Sequence, residues 1–243
     1  MVTTTDGHLL GGRVSYRQPA TGFRSGIEPV LLAATIPVRA GEHVLEAGTG
    51  AGAGLLCLSA RVPGVRATGV EIDPALAELA TANAVANGFS NIAVITDRIE
   101  TASLPRGFDH AMANPPYHLA GGSASPDAAR ETAKRGSEVL IRDWIGRLGD
   151  VLRARGSLTL IVPGGMVPAC LAAMTASRCP CMAIFPLWPK AERPAKLVIL
   201  RGVKDARMPM RLMPGLVLHQ PDGAFSDHAR AILEAATALP IDR

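Results

Sequence analysis

Four consecutive residues, Asn114-Pro115-Pro116-Tyr117, combine groups suited to one chemical task. The asparagine side chain and the Pro115 carbonyl are hydrogen-bond acceptors. Two prolines in a row fix φ and remove backbone donors, so the segment is stiff. Tyr117 adds a flat aromatic face on which a planar group can stack. Two acceptors beside such a face can hold both hydrogens of a conjugated amino group, as in adenine or a carboxamide. That nitrogen is a poor nucleophile because its lone pair is delocalised; gripping both hydrogens favours a pyramidal nitrogen with a directed lone pair. His118 follows immediately and is a further candidate substrate contact.

A second constellation lies upstream in Val44 to Gly54, "VLEAGTGAGAG". It reads as a strand, a glycine-rich turn and the start of a helix. Gly48, Gly50 and Gly52 let the backbone turn sharply and let a ligand approach it, with helix N-terminal N–H groups beyond. Glu71 follows Gly50 by 21 residues, at the end of the next apolar run, where an acid accepts hydrogen bonds from ribose hydroxyls. Asp97 ends the third run, within reach of an adenine edge. A dinucleotide and S-adenosylmethionine both remain open for this site. The second suits the residues better, because Glu46 places an acid where a pyrophosphate would be repelled and an ammonium or sulfonium attracted.

Both constellations need a scaffold that brings them together. Short apolar runs fall at residues 43–47, 67–72, 92–96, 108–113, 157–162, 182–187 and 197–201. Helix-period segments separate the earlier runs, at residues 52–61, 74–87, 137–153 and 165–177. Pro74 after Asp73 marks a helix start and Asn87-Gly88 an end. Strands alternating with helices predict an α/β fold with a doubly wound, mostly parallel seven-stranded sheet. The short polar link after residue 189 predicts an antiparallel hairpin at one edge. In such a sheet ligands bind beyond the strand carboxyl ends, where both constellations would lie. Residues 1–41 form an N-terminal segment, with a helix pattern at 30–35, packing on a catalytic domain of residues 42–243. Residues 118–136 read as a long connection rich in small residues.

The bulk properties restrict the field without deciding it. The chain has 243 residues, 48% of them hydrophobic, enough for one sizeable domain. The net charge of +4 permits a polyanionic partner without requiring one. Arg13, Arg17 and Arg24, and Arg130, Lys134, Arg135, Arg142 and Arg147, are candidate phosphate contacts or simply solvated charges. None of the cysteine spacings suits zinc, so no metal is expected. Residues 1–20 lack the features of a signal peptide and no apolar run is long enough for a membrane span, which predicts a cytoplasmic protein. Oligomeric state is not legible.

The motifs "EAGTGAG" and "NPPY" together resemble the class I methyltransferases that modify amino nitrogens. With "GGRVSYRQPATGFRSGIEPVLLAA" ahead of them and "ERPAKLVIL" and "PDGAFSDHARAIL" behind, nearly the whole chain is similar to the bacterial tRNA1(Val) adenine-N6 methyltransferases. The resemblance implies S-adenosylmethionine as cofactor, held by Glu46, Gly48, Gly50, Gly52, Glu71 and Asp97. It implies a tRNA adenosine as substrate, with Asn114, Pro115 and Tyr117 catalytic and Pro116, Tyr117 and His118 at the base. The glutamine-N5 methyltransferases of release factors share the four-residue motif, but carry a helical N-terminal domain for which 41 residues are too few. A module that binds nucleoside or RNA without turnover is the remaining alternative.

Overall fold

The computed structural model describes residues 3–21, 25–116 and 127–241, with backbone alone at 127–135 and 137. The chain opens with an antiparallel hairpin, β1 (Thr4–Leu9) and β2 (Val14–Pro19), followed by α1 (Glu28–Thr35). Then come β3 (His43–Ala47), α2 (Ala53–Arg61), β4 (Arg66–Glu71), α3 (Pro74–Ala86), β5 (Ile92–Thr96) and β6 (Phe108–Ala113). The second half holds α4 (Asp127–Val151), β7 (Leu152–Pro163), α5 (Val167–Ala176), β8 (Cys181–Lys190) and β9 (Leu197–Val203). Short strands β10 (Arg211–Leu212) and β11 (Leu216–His219) precede the final helix α6 (Asp227–Ala235).

The main sheet runs in the order β10-β8-β9-β7-β6-β3-β4-β5, with β11 also paired to β8. The five strands from β7 to β5 are parallel, and β9 runs antiparallel between β7 and β8. The seven predicted strands are therefore all present, in a mostly parallel sheet with an antiparallel pair. The short β10 and β11 add to β8 in parallel and make the sheet nine-stranded.

Neighbouring residues on each central strand serve opposite faces. Val44, Met112, Ile161 and Ile199 join the core cluster that includes residues of α1, α2 and α6. Leu45, Ala113, Leu160 and Leu200 join the second cluster, built against α4 and α5. That two-sided burial is why these strands read as continuous apolar runs. A polar network fastens the amino-terminal ends of the same strands. The His43 N–H donates to Asp109 at 2.8 Å, and Arg153 Nε to the other oxygen of that carboxylate at 2.6 Å. His110 joins Ser157 (2.7 Å) and Glu42 (3.2 Å). The carboxyl ends stay open for a ligand.

Two expectations are corrected. The predicted connection 118–136 is helical from Asp127, where α4 begins and runs for 25 residues. The N-terminal segment is a hairpin before its helix, turning at Gly11 and Gly12 with φ of 63° and 95°. Among the described residues no helix is long and apolar enough to cross a membrane.

Candidate active site

The order of the sheet reverses between β3 and β6. Glu46 lies opposite Met112 and Ala47 opposite Ala113, so Gly48 and Asn114 leave adjacent strands side by side. A cleft forms there, lined by Tyr16, Ser25, Glu46, Gly48, Gly50 and Asn114, among others. Residues of both constellations, Glu46, Gly48 and Gly50 from one and Asn114 from the other, thus line one crevice. Gly52, Glu71 and Asp97 stand outside its lining. Tyr117 and His118 lie outside the described residues.

The glycine turn is shaped by positive φ values at Gly48 (67°), Gly50 (56°) and Gly52 (91°), conformations that side chains resist. The N–H groups of Gly48 and Thr49 both reach the Val70 carbonyl, at 2.8 and 3.2 Å, which binds the turn to β4. A methyl group on Gly48 would sit 2.8 Å from the Trp144 ring. Trp144 itself donates to Glu100 at 3.3 Å.

Glu46 folds beneath this turn and is 4% exposed. The Thr49 hydroxyl donates to its Oε2 at 2.6 Å, and the backbone N–H of Leu55 donates to the same carboxylate. A methyl group on Gly54 would come within 2.2 Å of Oε1, so the helix start must be glycine there for the acid to fit. Burial pushes the carboxyl up to about 8, partly offset by those two donors. The group thus sits at the cleft largely neutral, poised to ionise beside a cation.

Glu71 uses both oxygens on backbone. Oε2 accepts the Gly50 N–H at 2.8 Å and Oε1 the Asp73 N–H at 3.0 Å. It props the glycine turn from below while keeping lone pairs spare. Asp97 is half-buried; its Oδ1 accepts the Arg98 N–H at 2.7 Å, and its own N–H donates to the Glu71 carbonyl at 3.0 Å.

Beyond β6, Pro115 is buried and Pro116 exposed. The Oδ1 of Asn114 is buried and has no hydrogen-bond partner among the described residues. An unsatisfied buried acceptor costs about 1–3 kcal/mol, so the fold carries this group at a loss. A ligand donor entering the cleft would remove that loss.

Sequence reasoning missed Tyr16, Ser25, Thr49 and Asn83. Asn83 is 2% exposed in the last turn of α3, an unusual place for a carboxamide, and nothing in the sequence marks it as buried. Several of the candidate phosphate-contact arginines also bond within the chain. Arg17 pairs with Asp6 (3.0 Å), Arg13 donates to the Ala235 carbonyl (3.3 Å), and Arg147 donates to the Ala102 carbonyl (2.7 Å).

The doubly wound sheet, glycine turn and strand-end acids define a class I methyltransferase. A family model described as the methyltransferase small domain matches residues 28–155, and the chain belongs to that family. Its relatives include proteins named tRNA1(Val) (adenine(37)-N6)-methyltransferase. That of Aeromonas hydrophila is 31% identical over 218 residues, covering 84% of this chain and 86% of the relative. That of Porphyromonas gingivalis is 34% identical over 165 residues, covering 62% of this chain but only 63% of the relative. Among solved structures, a predicted O-methyltransferase of Agrobacterium tumefaciens superposes with a TM-score of 0.74 at 21% identity, covering 88% of this chain and 99% of that one. This last likeness speaks for the fold alone.

Proposed function

We propose that this protein transfers the methyl group of S-adenosylmethionine to the N6 amino group of an adenosine in tRNA, in the cytoplasm. Position 37 of a valine tRNA, the site in the relatives' name, is the proposed target. The observation that carries the reading is the buried Oδ1 of Asn114, without a partner among the described residues, on a residue that lines the glycine-turn cleft.

The described lining fits the cofactor's charge. It includes Glu46, which can ionise beside a cation, and neither lysine nor arginine to receive a pyrophosphate. When bound, S-adenosylmethionine supplies an electrophilic methyl group on a sulfonium. Gly48, Gly50 and Gly52 let it approach the backbone, Glu46 faces its cationic end, Glu71 offers spare lone pairs to the ribose, and Asp97 stands toward the base. Residues 1–41 act as a segment folded over the 42–243 catalytic domain.

Asn114 Oδ1 and the Pro115 carbonyl each accept one hydrogen of the target amino group, directing its lone pair at the methyl carbon. Pro116 and Tyr117 form the face on which the base stacks, worth about 1–3 kcal/mol, with His118 beside it. Orientation of the two reactants supplies the rest, roughly 7–11 kcal/mol in well-aligned systems. An anticodon-loop base is unpaired, so extruding it costs little.

Replacing Asn114 by alanine tests the reading. Cofactor affinity measured by calorimetry should hold, while the single-turnover transfer rate to tRNA falls at least about tenfold, as when one preorganised polar contact is removed. Transfer at the wild-type rate would take Asn114 out of the chemistry.

A further inference from the structure

The cleft poses a charge problem for its ligand. S-adenosylmethionine ends in an amino acid, with an ammonium and a carboxylate. Glu46 answers the first, but no lysine or arginine lines the cleft among the described residues. The described lining offers the carboxylate neutral donors.

Two hydroxyls are in place for it. Tyr16 Oη and Ser25 Oγ lie 2.8 Å apart and share one hydrogen bond, and both residues line the cleft. Two hydroxyls carry two protons and their mutual bond uses one. The other remains to donate outward. Tyr16 is 3% exposed and lines the cleft, so it is shielded from bulk water there.

The pair is held by an arrangement the sequence does not advertise. One edge of β2 pairs with β1. The other faces two carboxamides of α3. Asn87 accepts from the Ser15 N–H (2.9 Å) and donates to the Ser15 carbonyl (2.7 Å). Asn83 accepts from the Arg17 N–H (3.0 Å) and donates to the Arg17 carbonyl (2.8 Å). Four residues along a helix advance about 6 Å. Two residues along a strand advance about 6.7 Å. The two side chains therefore stand in for a third strand, with Tyr16 fixed between the residues they grip. The second N–H of Asn83 donates to the Ala51 carbonyl at 2.9 Å, tying the hairpin to the glycine turn. Ser25 is placed in turn by its N–H to Gln18 Oε1, at 3.2 Å.

We propose that Tyr16 and Ser25 form a hydroxyl pair that receives the carboxylate of the cofactor's amino-acid end, held over the cleft by the Asn83–Asn87 ladder. This rests on the reading that the cleft takes S-adenosylmethionine; it does not depend on what accepts the methyl group.

The test compares two nucleosides by calorimetry on the full chain. S-adenosylhomocysteine carries the amino-acid end, and 5′-methylthioadenosine lacks it. Tyr16→Phe keeps the ring and removes the hydroxyl. It should weaken S-adenosylhomocysteine about ten- to a hundredfold, the scale of one hydrogen bond to a charged partner, and leave methylthioadenosine unchanged. Ser25→Ala should show the same selectivity. Equal loss for both nucleosides would make Tyr16 a packing residue, and no loss for either would remove the contact; both overturn the proposal. A wild-type protein that binds neither nucleoside overturns it together with the cofactor reading. Tight binding without methyl transfer to tRNA would sink the substrate reading alone and leave this one standing.

Discussion

Binding of the cofactor should expel a proton from Glu46. Its carboxyl, pushed up to about 8 by burial, is protonated in about nine of ten free molecules at pH 7. A cation placed against it favours the ionised form, so binding should release about 0.9 proton at that pH. Calorimetric titrations at pH 7 in buffers of different ionisation enthalpy read this number directly, as the slope of binding enthalpy against that enthalpy. Glu46→Gln cannot ionise, and its slope isolates any proton carried by the ligand itself. A difference of about 0.9 between the two slopes is expected. Equal slopes would refute the placement of the cation on Glu46. The free protein adds a check of sign. Between the ordinary carboxyl value of 4.5 and about 8, the unfolded chain is ionised at Glu46 and the folded one is not. Stability therefore falls as pH rises through that window, by at most about 5 kcal/mol from this group. Glu46→Gln should lose that portion of the decline in denaturant melts.

Three further substitutions probe the frame of the site. Asn114→Ala removes a buried acceptor that has no partner among the described residues, so the free protein should be as stable as wild type or more so by about 1 kcal/mol; a clear loss in thermal melts would show that the side chain has a structural partner. Gly54→Ala forces a methyl group to 2.2 Å from Glu46 Oε1 and should cost about 1–3 kcal/mol in denaturant unfolding and weaken cofactor binding. Wild-type values for both would mean that Glu46 can leave its place freely. Asn83→Ala breaks the ties to Arg17 and Ala51 and should destabilise by about 2–3 kcal/mol. Amide exchange at Ser15 and Arg17 should quicken with it, and unchanged exchange would show that the hairpin does not depend on this residue.

Much of this organisation was legible in the residues, for a physical reason. Strands covered on both faces are written as unbroken apolar runs, so β3, β5 and β6 were bounded correctly. The glycine turn was equally plain, because positive φ at alternate positions demands glycine. What escaped detection depends on partners distant in the chain. The start of α4 was hidden by Gly136 and a run of small and charged residues, which lack the apolar period of a core helix. In the hairpin, β1 alternates only exposed and half-buried residues, and β2 buries just Val14, Tyr16 and Pro19, too weak a pattern to stand out. Asn83 looked like an ordinary polar helix residue, and only the fold shows that it supplies hydrogen bonds to a strand some 66 residues earlier. Tyr16 entered the cleft by that same route.

The account stands most directly on the identity of the methylated atom. An unmodified tRNA1(Val) transcript incubated with the protein and labelled S-adenosylmethionine, then digested to nucleosides, reads it in one step. The account predicts label in N6-methyladenosine, mapping to position 37, the site named for the relatives. Label absent from tRNA but present in a release-factor glutamine, or absent from both while the cofactor binds, would contradict it.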